Sequence, residues 1–228
     1  LIKFRKDFND KNYHEPIIKN MWNLINEYKI SLKVIDDLFE GINLDLKKKI
    51  KLNSKKDLLV YSYRVAGTVG LMMAKILNVK KPNALKGAID LGIAMQLTNI
   101  SRDVVEDARD NRFYIEHNFE SIKDTLKLAE HFYESSFSSI KEIPLSFRFS
   151  ILVARRVYKT IGLNILDKEN IFNYDNSGKI FVSNIGKLNQ TILSLFDLVK
   201  LFFVKSEFHI AAEQHLLISE EINLNERI

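Results

Sequence analysis

LGIAMQLTNISRDVVEDARDNRFYI, residues Leu91 to Ile115, begins apolar with small residues and ends densely charged. The first half is what a helix buried on most sides looks like. Asn99, Asp103 and Asp107 recur every four residues. On a helix such positions drift by only about 40° per step, so the spacing predicts one helical face carrying all three, with Gln96 on the same side. Ile93, Ile100 and Val104 point elsewhere and can pack. Carboxylates four residues apart repel by about a few tenths of a kcal/mol on a bare helix. A divalent cation would offset that cost. One carboxamide and two carboxylates form a hard oxygen set that suits Mg²⁺. The competing reading is a solvated acidic face neutralised by Arg102, Arg109 and Arg112.

The rest of the chain repeats apolar residues mostly at helical spacing. Pro16 opens a predicted helix toward Tyr28, and Ser31 caps another through Leu46. Ser54 with Asp57 forms a capping box before a long helix through Leu77. Pro82 starts the helix that carries the central stretch. Further helices are predicted over 121–142, 145–167 and 184–218, and Ile180 to Val182 is the one β-like run. In the helix from Ser54, the spacing places Tyr61, Val65, Thr68 and Met72 on one face and the small residues Ala66, Gly70 and Ala74 on another. Close helix packing is the preferred reading for Ala66 and Ala74, with Gly67 and Gly70 leaving room for a ligand. The expected architecture is a single all-α domain, residues 1–228, with helices around a central cavity.

Composition narrows the function. The chain has 228 residues, net charge +5, and 46% hydrophobic residues. Its 34 basic residues are interleaved with 29 acidic ones, which argues against a nucleic-acid surface and suits anionic ligands. There is no cysteine, so neither a disulfide framework nor a thiolate metal site is available. No apolar run reaches the ~18 residues of a membrane span, and no secretory signal is visible; a cytoplasmic protein is expected. The apolar segment Leu193–Val204 is read as core packing, with peripheral membrane contact as its alternative. The five histidines form no pair at helical i, i+4 spacing. His209 and His215 are read as ordinary surface or packing residues. No nucleophilic triad and no Gly-rich nucleotide loop is present, so no NAD(P)H site is expected.

QLTNISRDVVEDARDNRFYI resembles the second aspartate-rich motif of the squalene/phytoene synthase family. YSYRVAGTVGLMM, Tyr61 to Met73, resembles the family's second signature. ARRVYKTIG, Ala154 to Gly162, and KIFVSNIGKL, Lys179 to Leu188, are similar to two later stretches, in family order. The resemblance implies an isoprenoid-synthase-type helical bundle that joins two prenyl diphosphates, with Mg²⁺ (or Mn²⁺ in its place) as cofactor. It further implies a monomer that meets a membrane at most peripherally, to release product. By this resemblance Asn99, Asp103 and Asp107 hold the metal. Arg102 reaches the diphosphate or, alternatively, pairs with Glu106. Tyr61 and Gln96 line the cavity near the reacting carbons, beside Val65 and Gly70. Tyr158, Lys179 and Lys187 lie near the diphosphate, although the family often carries Arg at the position of Lys179.

Two departures bear on function. The resemblance places a first acidic motif shortly before FRKDF, Phe4 to Phe8, and no acidic pair stands there; an N-terminally incomplete chain is the expectation. Ile35 to Leu46 instead is similar to a later stretch in which an aspartate at Asp45 is usual. The leading reading is phytoene formation from geranylgeranyl diphosphate. The alternatives are a squalene or dehydrosqualene synthase using farnesyl diphosphate, and a non-catalytic relative acting in respiratory complex I assembly.

Overall fold

The helix Pro82–Arg102 (α6) is the element on which the others pack in a computed structural model of the chain, which describes residues 1–205 and 209–228. Pro82 suits its first turn, where no N–H partner is needed. Ile89, Ile93, Ala94 and Leu97 are fully buried along its length. The elements before α6 are α1 (Ile2–Asn9), α2 (Pro16–Glu27), α3 (Leu32–Asp45), β1 (Ile50–Lys51), α4 (Lys55–Ser62), a π-turn over Tyr63–Gly67, and α5 (Thr68–Ile76). After it come α7 (Val104–Arg109), β2 (Arg112–Phe113), α8 (Phe119–Phe137), α9 (Leu145–Leu166), α10 (Ile171–Asn176), α11 (Asn184–Phe203) and α12 (Ala212–Ser219). The fold is all-α apart from β1 and β2, which pair in parallel through Ile50–Arg112 and Lys51–Phe113. α8, α5 and α9 pack directly on α6.

Several expectations hold at the level of local chemistry. The Ser54 hydroxyl accepts the Asp57 N–H at 3.0 Å, and the Asp57 carboxylate reaches back to Asn53 N at 3.2 Å. The helix from Ser54 is not continuous, however: a π-turn interrupts it at Tyr63–Gly67. Gly70 and Gly92 explain how α5 and α6 come so close. A Cβ at Gly70 would lie 2.2 Å from the Ala88 carbonyl oxygen, and one at Gly92 would lie 2.3 Å from that of Ala66. Gly70 therefore serves helix contact first, and Gly67 likewise faces the Tyr63 ring and Ile89. The predicted helix 121–142 ends as a 3₁₀ turn at Ser138–Glu142. Ile180–Val182 is not a strand; the pairing falls instead on Ile50–Lys51 and on Arg112–Phe113, near the end of the central stretch.

The C-terminal third departs most. The helix expected over 184–218 ends at Phe203, a new one starts at Ala212, and residues 206–208 lie outside the described residues. Core packing, the expectation for Leu193–Val204, holds for Leu201 and Leu198 and fails for most of its other apolar residues. Ser194, Asp197 and Leu201 face inward, while Leu195, Phe196, Val199 and Phe202 are exposed and Phe203 is 82% exposed. The reason is electrostatic. Arg156 forks onto the Asp197 carboxylate at 2.6 and 2.9 Å, and that charged pair turns the helix's polar side toward α9. Among the described residues no helix is long and apolar enough to cross a membrane.

Candidate active site

The helical face predicted for Asn99, Asp103 and Asp107 is not part of one straight helix. α6 ends at Arg102, Asp103 takes φ −104° and ψ 13°, and α7 begins at Val104. The cause of the bend is Tyr174 on α10. Its hydroxyl sits 2.9 Å from both the Ser101 and the Arg102 carbonyl oxygens. It thereby takes acceptors that an uninterrupted helix would satisfy internally, and a side chain inserted into the ladder bends it. The i→i−4 bonds at the three motif positions survive: Asp103 N donates to Asn99 O at 2.9 Å and Asp107 N to Asp103 O at 2.7 Å. The three side chains therefore remain in register across the bend.

Cations of the chain itself attend these carboxylates. Arg102 forks onto its neighbour Asp103 at 2.8 and 2.6 Å, which replaces the expected pairing with Glu106. Glu106 is held instead by Lys179 at 2.7 Å, and the Lys179 ammonium also stands 3.6 Å from Asp103. Thus a residue 76 positions away in sequence is brought to the motif. Asp107 has no such partner among the described residues. Burial, first, and the nearby Asp103 charge raise its pKa to about 6, with Arg112 pulling the other way.

Whether Mg²⁺ fits these residues can be judged from two features. The Asn99 Oδ1 is buried and has no hydrogen-bond partner among the described residues, which is costly unless a donor or a cation meets its lone pairs. Burial and the neighbouring Asp103 charge raise the pKa of Asp107, and a bound cation would offset both. An orphaned carboxamide oxygen beside two carboxylates is an oxygen donor set of the kind Mg²⁺ takes. The residues fit.

Asn99 also opens onto an apolar cavity of about 390 Å³, within the ~300–1,000 Å³ range of small-molecule sites. Gln96, Tyr158 and Val65 line it, as expected, and Met73, Leu91 and Met95 supply apolar wall. The lining follows α6 from Asn99 back to Ala84, about 22 Å of helix. Ala66 is part of the wall, contrary to its assignment to packing alone, and Gly70 lies in the wall as well as in the helix contact. Tyr158, from α9, lines the same cavity as Asn99 and Gln96.

Tyr61 is placed differently from expectation. It does not line this cavity. Its hydroxyl donates to Asp45 at 2.8 Å and lies 3.1 Å from the Tyr114 hydroxyl, while the two rings stack at 4.7 Å. Burial, together with those neighbours, pushes the Tyr61 phenol pKa far up, and that of Tyr114 up to about 12. Lys187 is exposed on the first turn of α11 and forms no ion pair among the described residues. Tyr63, to which the sequence assigned no role, is fully buried and donates to Asp37 at 3.0 Å. Tyr174 and Tyr114 were missed altogether, because nothing local marks either as reaching the motif. A larger, more polar groove of about 1110 Å³, lined by Lys49, Lys51 and His131 among others, takes Phe113, Tyr114 and Ile115 from the end of the motif but none of Asn99, Asp103 and Asp107.

Known proteins share both the sequence pattern and the fold. The squalene/phytoene synthase family model matches residues 2–117. The 15-cis-phytoene synthase of a Paracoccus species is 37% identical over 147 residues, covering 57% of this chain and 48% of that protein. That of Pantoea ananas is 32% identical over 185 residues, covering 72% of this chain and 60% of that protein. The chain thus spans about half to three-fifths of the length of these relatives. A crystal structure of a dehydrosqualene synthase in complex with ligand superposes with a TM-score of 0.70 at 26% identity, covering 87% of this chain and 77% of that one. A family model that spans half of the chain and a solved fold that spans most of it lead to the same place: this chain belongs to the squalene/phytoene synthase family.

Proposed function

We propose that the chain binds a prenyl diphosphate, with its diphosphate at Asn99, Asp103 and Asp107 and its hydrocarbon tail along the α6 cavity, and that it serves phytoene formation from geranylgeranyl diphosphate. The observation that carries this reading is the position of Asn99, which belongs both to the acidic motif and to the cavity wall. A ligand with an anionic head and a long apolar tail matches that continuity.

Asn99, Asp103 and Asp107 are the residues that would hold Mg²⁺. The ion when bound supplies Lewis-acid neutralisation of the leaving diphosphate. Arg102 and Lys179, which pair with Asp103 and Glu106 in the free protein, are placed to turn toward diphosphate oxygens once those carboxylates have another partner. The walls contributed by Val65, Met73, Leu91 and Met95 keep water from a carbocation. Gln96 supplies a neutral polar group between the apolar wall and the motif.

The test is equilibrium binding of thiolodiphosphate analogues with C20 and C15 tails in the presence of Mg²⁺. Binding should require Mg²⁺ and fall away in Asp107→Asn. Mg²⁺-independent binding, or full affinity in that variant, would overturn the reading. A tighter C15 than C20 analogue would favour farnesyl diphosphate, the second reading, which the dehydrosqualene synthase neighbour supports.

A further inference from the structure

Asp90 lies in the middle of α6 with no exposed surface. It is an aspartate in an otherwise apolar stretch, and a buried carboxylate needs partners. Three converge on it. His209 Nε2 lies 2.6 Å from Oδ2, His215 Nε2 lies 2.5 Å from Oδ1, and the Ser135 hydroxyl donates to Oδ2 at 2.6 Å. The two imidazole rings are 4.3 Å apart between centroids. Sequence spacing sets His209 and His215 on different helical faces; the segment before α12 removes that objection, since His209 is not in the helix.

We propose that Asp90, His209 and His215 form a binding site for a first-row transition metal of the Zn²⁺ class, separate from the Asn99–Asp103–Asp107 site. The two sites lie nine residues apart on α6, about 13 Å along its axis. The donor chemistry separates them too. Two imidazole nitrogens and a carboxylate oxygen form a borderline set that favours Zn²⁺ or Co²⁺ over Mg²⁺.

The three ligand atoms lie within 4.8 Å of one another. With metal–ligand distances of about 2.0–2.2 Å, ligand atoms around a tetrahedral ion stand about 3.4 Å apart, so each His–Asp contact would open by about 0.8 Å. Ser135 acts as the outer partner, because its hydroxyl donates to Asp90 and accepts the Ala211 N–H at 3.2 Å, fixing the carboxylate's orientation. The Nδ1 of His215 is buried without a partner among the described residues. Metal binding at Nε2 exchanges the hydrogen bond to Asp90 for a metal–nitrogen bond and leaves the proton on Nδ1. Three protein ligands leave a fourth position for water. The consequence is mechanical: the ion would tie the segment carrying α12 to α6, whose residues Ala88 and Leu91 on either side of Asp90 line the cavity.

The test titrates chelator-treated 228-residue protein with Zn²⁺ by calorimetry and with Co²⁺ by visible absorption, in excess Mg²⁺. One equivalent of Zn²⁺ should bind with proton release, and Co²⁺ should show the absorption of a four-coordinate ion. Asp103→Asn combined with Asp107→Asn should retain this binding. His209→Gln, whose fold is checked by circular dichroism, should weaken it at least about tenfold. Absence of the Co²⁺ spectrum in the unmutated protein would overturn the site without reference to any variant. So would Zn²⁺ binding that disappears in the Asp103/Asp107 double variant, or that is as tight in folded His209→Gln.

Discussion

Asp90 and Asp107 are carboxylates on adjoining helices, and their surroundings push them in opposite directions. Burial acts to raise both. At Asp90 the hydrogen bonds from His209 and His215 outweigh burial, and the pKa falls below its ordinary value. At Asp107 the next contribution is another negative charge, Asp103, and the pKa rises to about 6. One carboxylate is saturated with donors inside the protein. The other has a second carboxylate, Asp103, as its neighbour. The contrast separates a carboxylate already supplied with protein donors from one crowded by a like charge, and it sets what each should lose on substitution.

Removing the satisfied carboxylate should have the largest effect. Asp90→Ala leaves two buried imidazoles without their partner and is expected to cost about 3–5 kcal/mol, read by urea unfolding; a loss under about 1 kcal/mol would break the contrast. Asp103→Asn and Asp107→Asn should do the opposite, lowering Mg²⁺-dependent analogue affinity at least about 10–100-fold while stability holds or rises as like-charge repulsion is relieved. A variant that unfolds instead would show that the motif is structural.

Gly70→Ala probes the scaffold that both clusters share. Its Cβ would meet a backbone carbonyl that has no rotamer to yield, so a destabilisation of about 1–3 kcal/mol is expected. Unchanged thermal stability would mean that α5 and α6 separate easily. The smallest expected effect is in pH. Without metal, native Asp107 holds its proton more tightly than the unfolded chain does, so stability should fall as pH rises from about 4 to about 6. Its partial exposure reduces that to on the order of 1 kcal/mol. Asp90 acts with the other sign: its contribution is present above the unfolded carboxylate pKa of about 4 and is lost as pH falls through its lower folded value. Comparing wild type with Asp107→Asn across pH 4 to 7 separates the two, because only the wild type should show the decline.

Much of the architecture was legible because the chain's local rules agree with one another. Pro16, Pro82 and the Ser54–Asp57 box mark helix starts by chemistry that needs no tertiary partner. The four-residue recurrence of Asn99, Asp103 and Asp107 survives even the bend at Asp103, because the backbone bonds joining those positions persist. The orientation of α11 was not legible. Its apolar residues predict burial, but the Arg156–Asp197 fork sets which face turns inward, and Arg156 lies 41 positions away in sequence.

The sequence by itself determined an all-α chain, its main helix starts, and a motif whose carboxylates and carboxamide share one side. These follow from the 3.6-residue period and from residues that satisfy their own neighbours' backbone groups. Tertiary structure alone decided that Tyr174 bends the motif helix, that Lys179 and not an i+4 neighbour attends Glu106, that Tyr61 turns to Asp45, and that His209 and His215 meet at Asp90. Each is a polar contact between distant segments. Such contacts form because a buried polar group must find a partner wherever folding has brought one, and sequence spacing carries no record of which that will be.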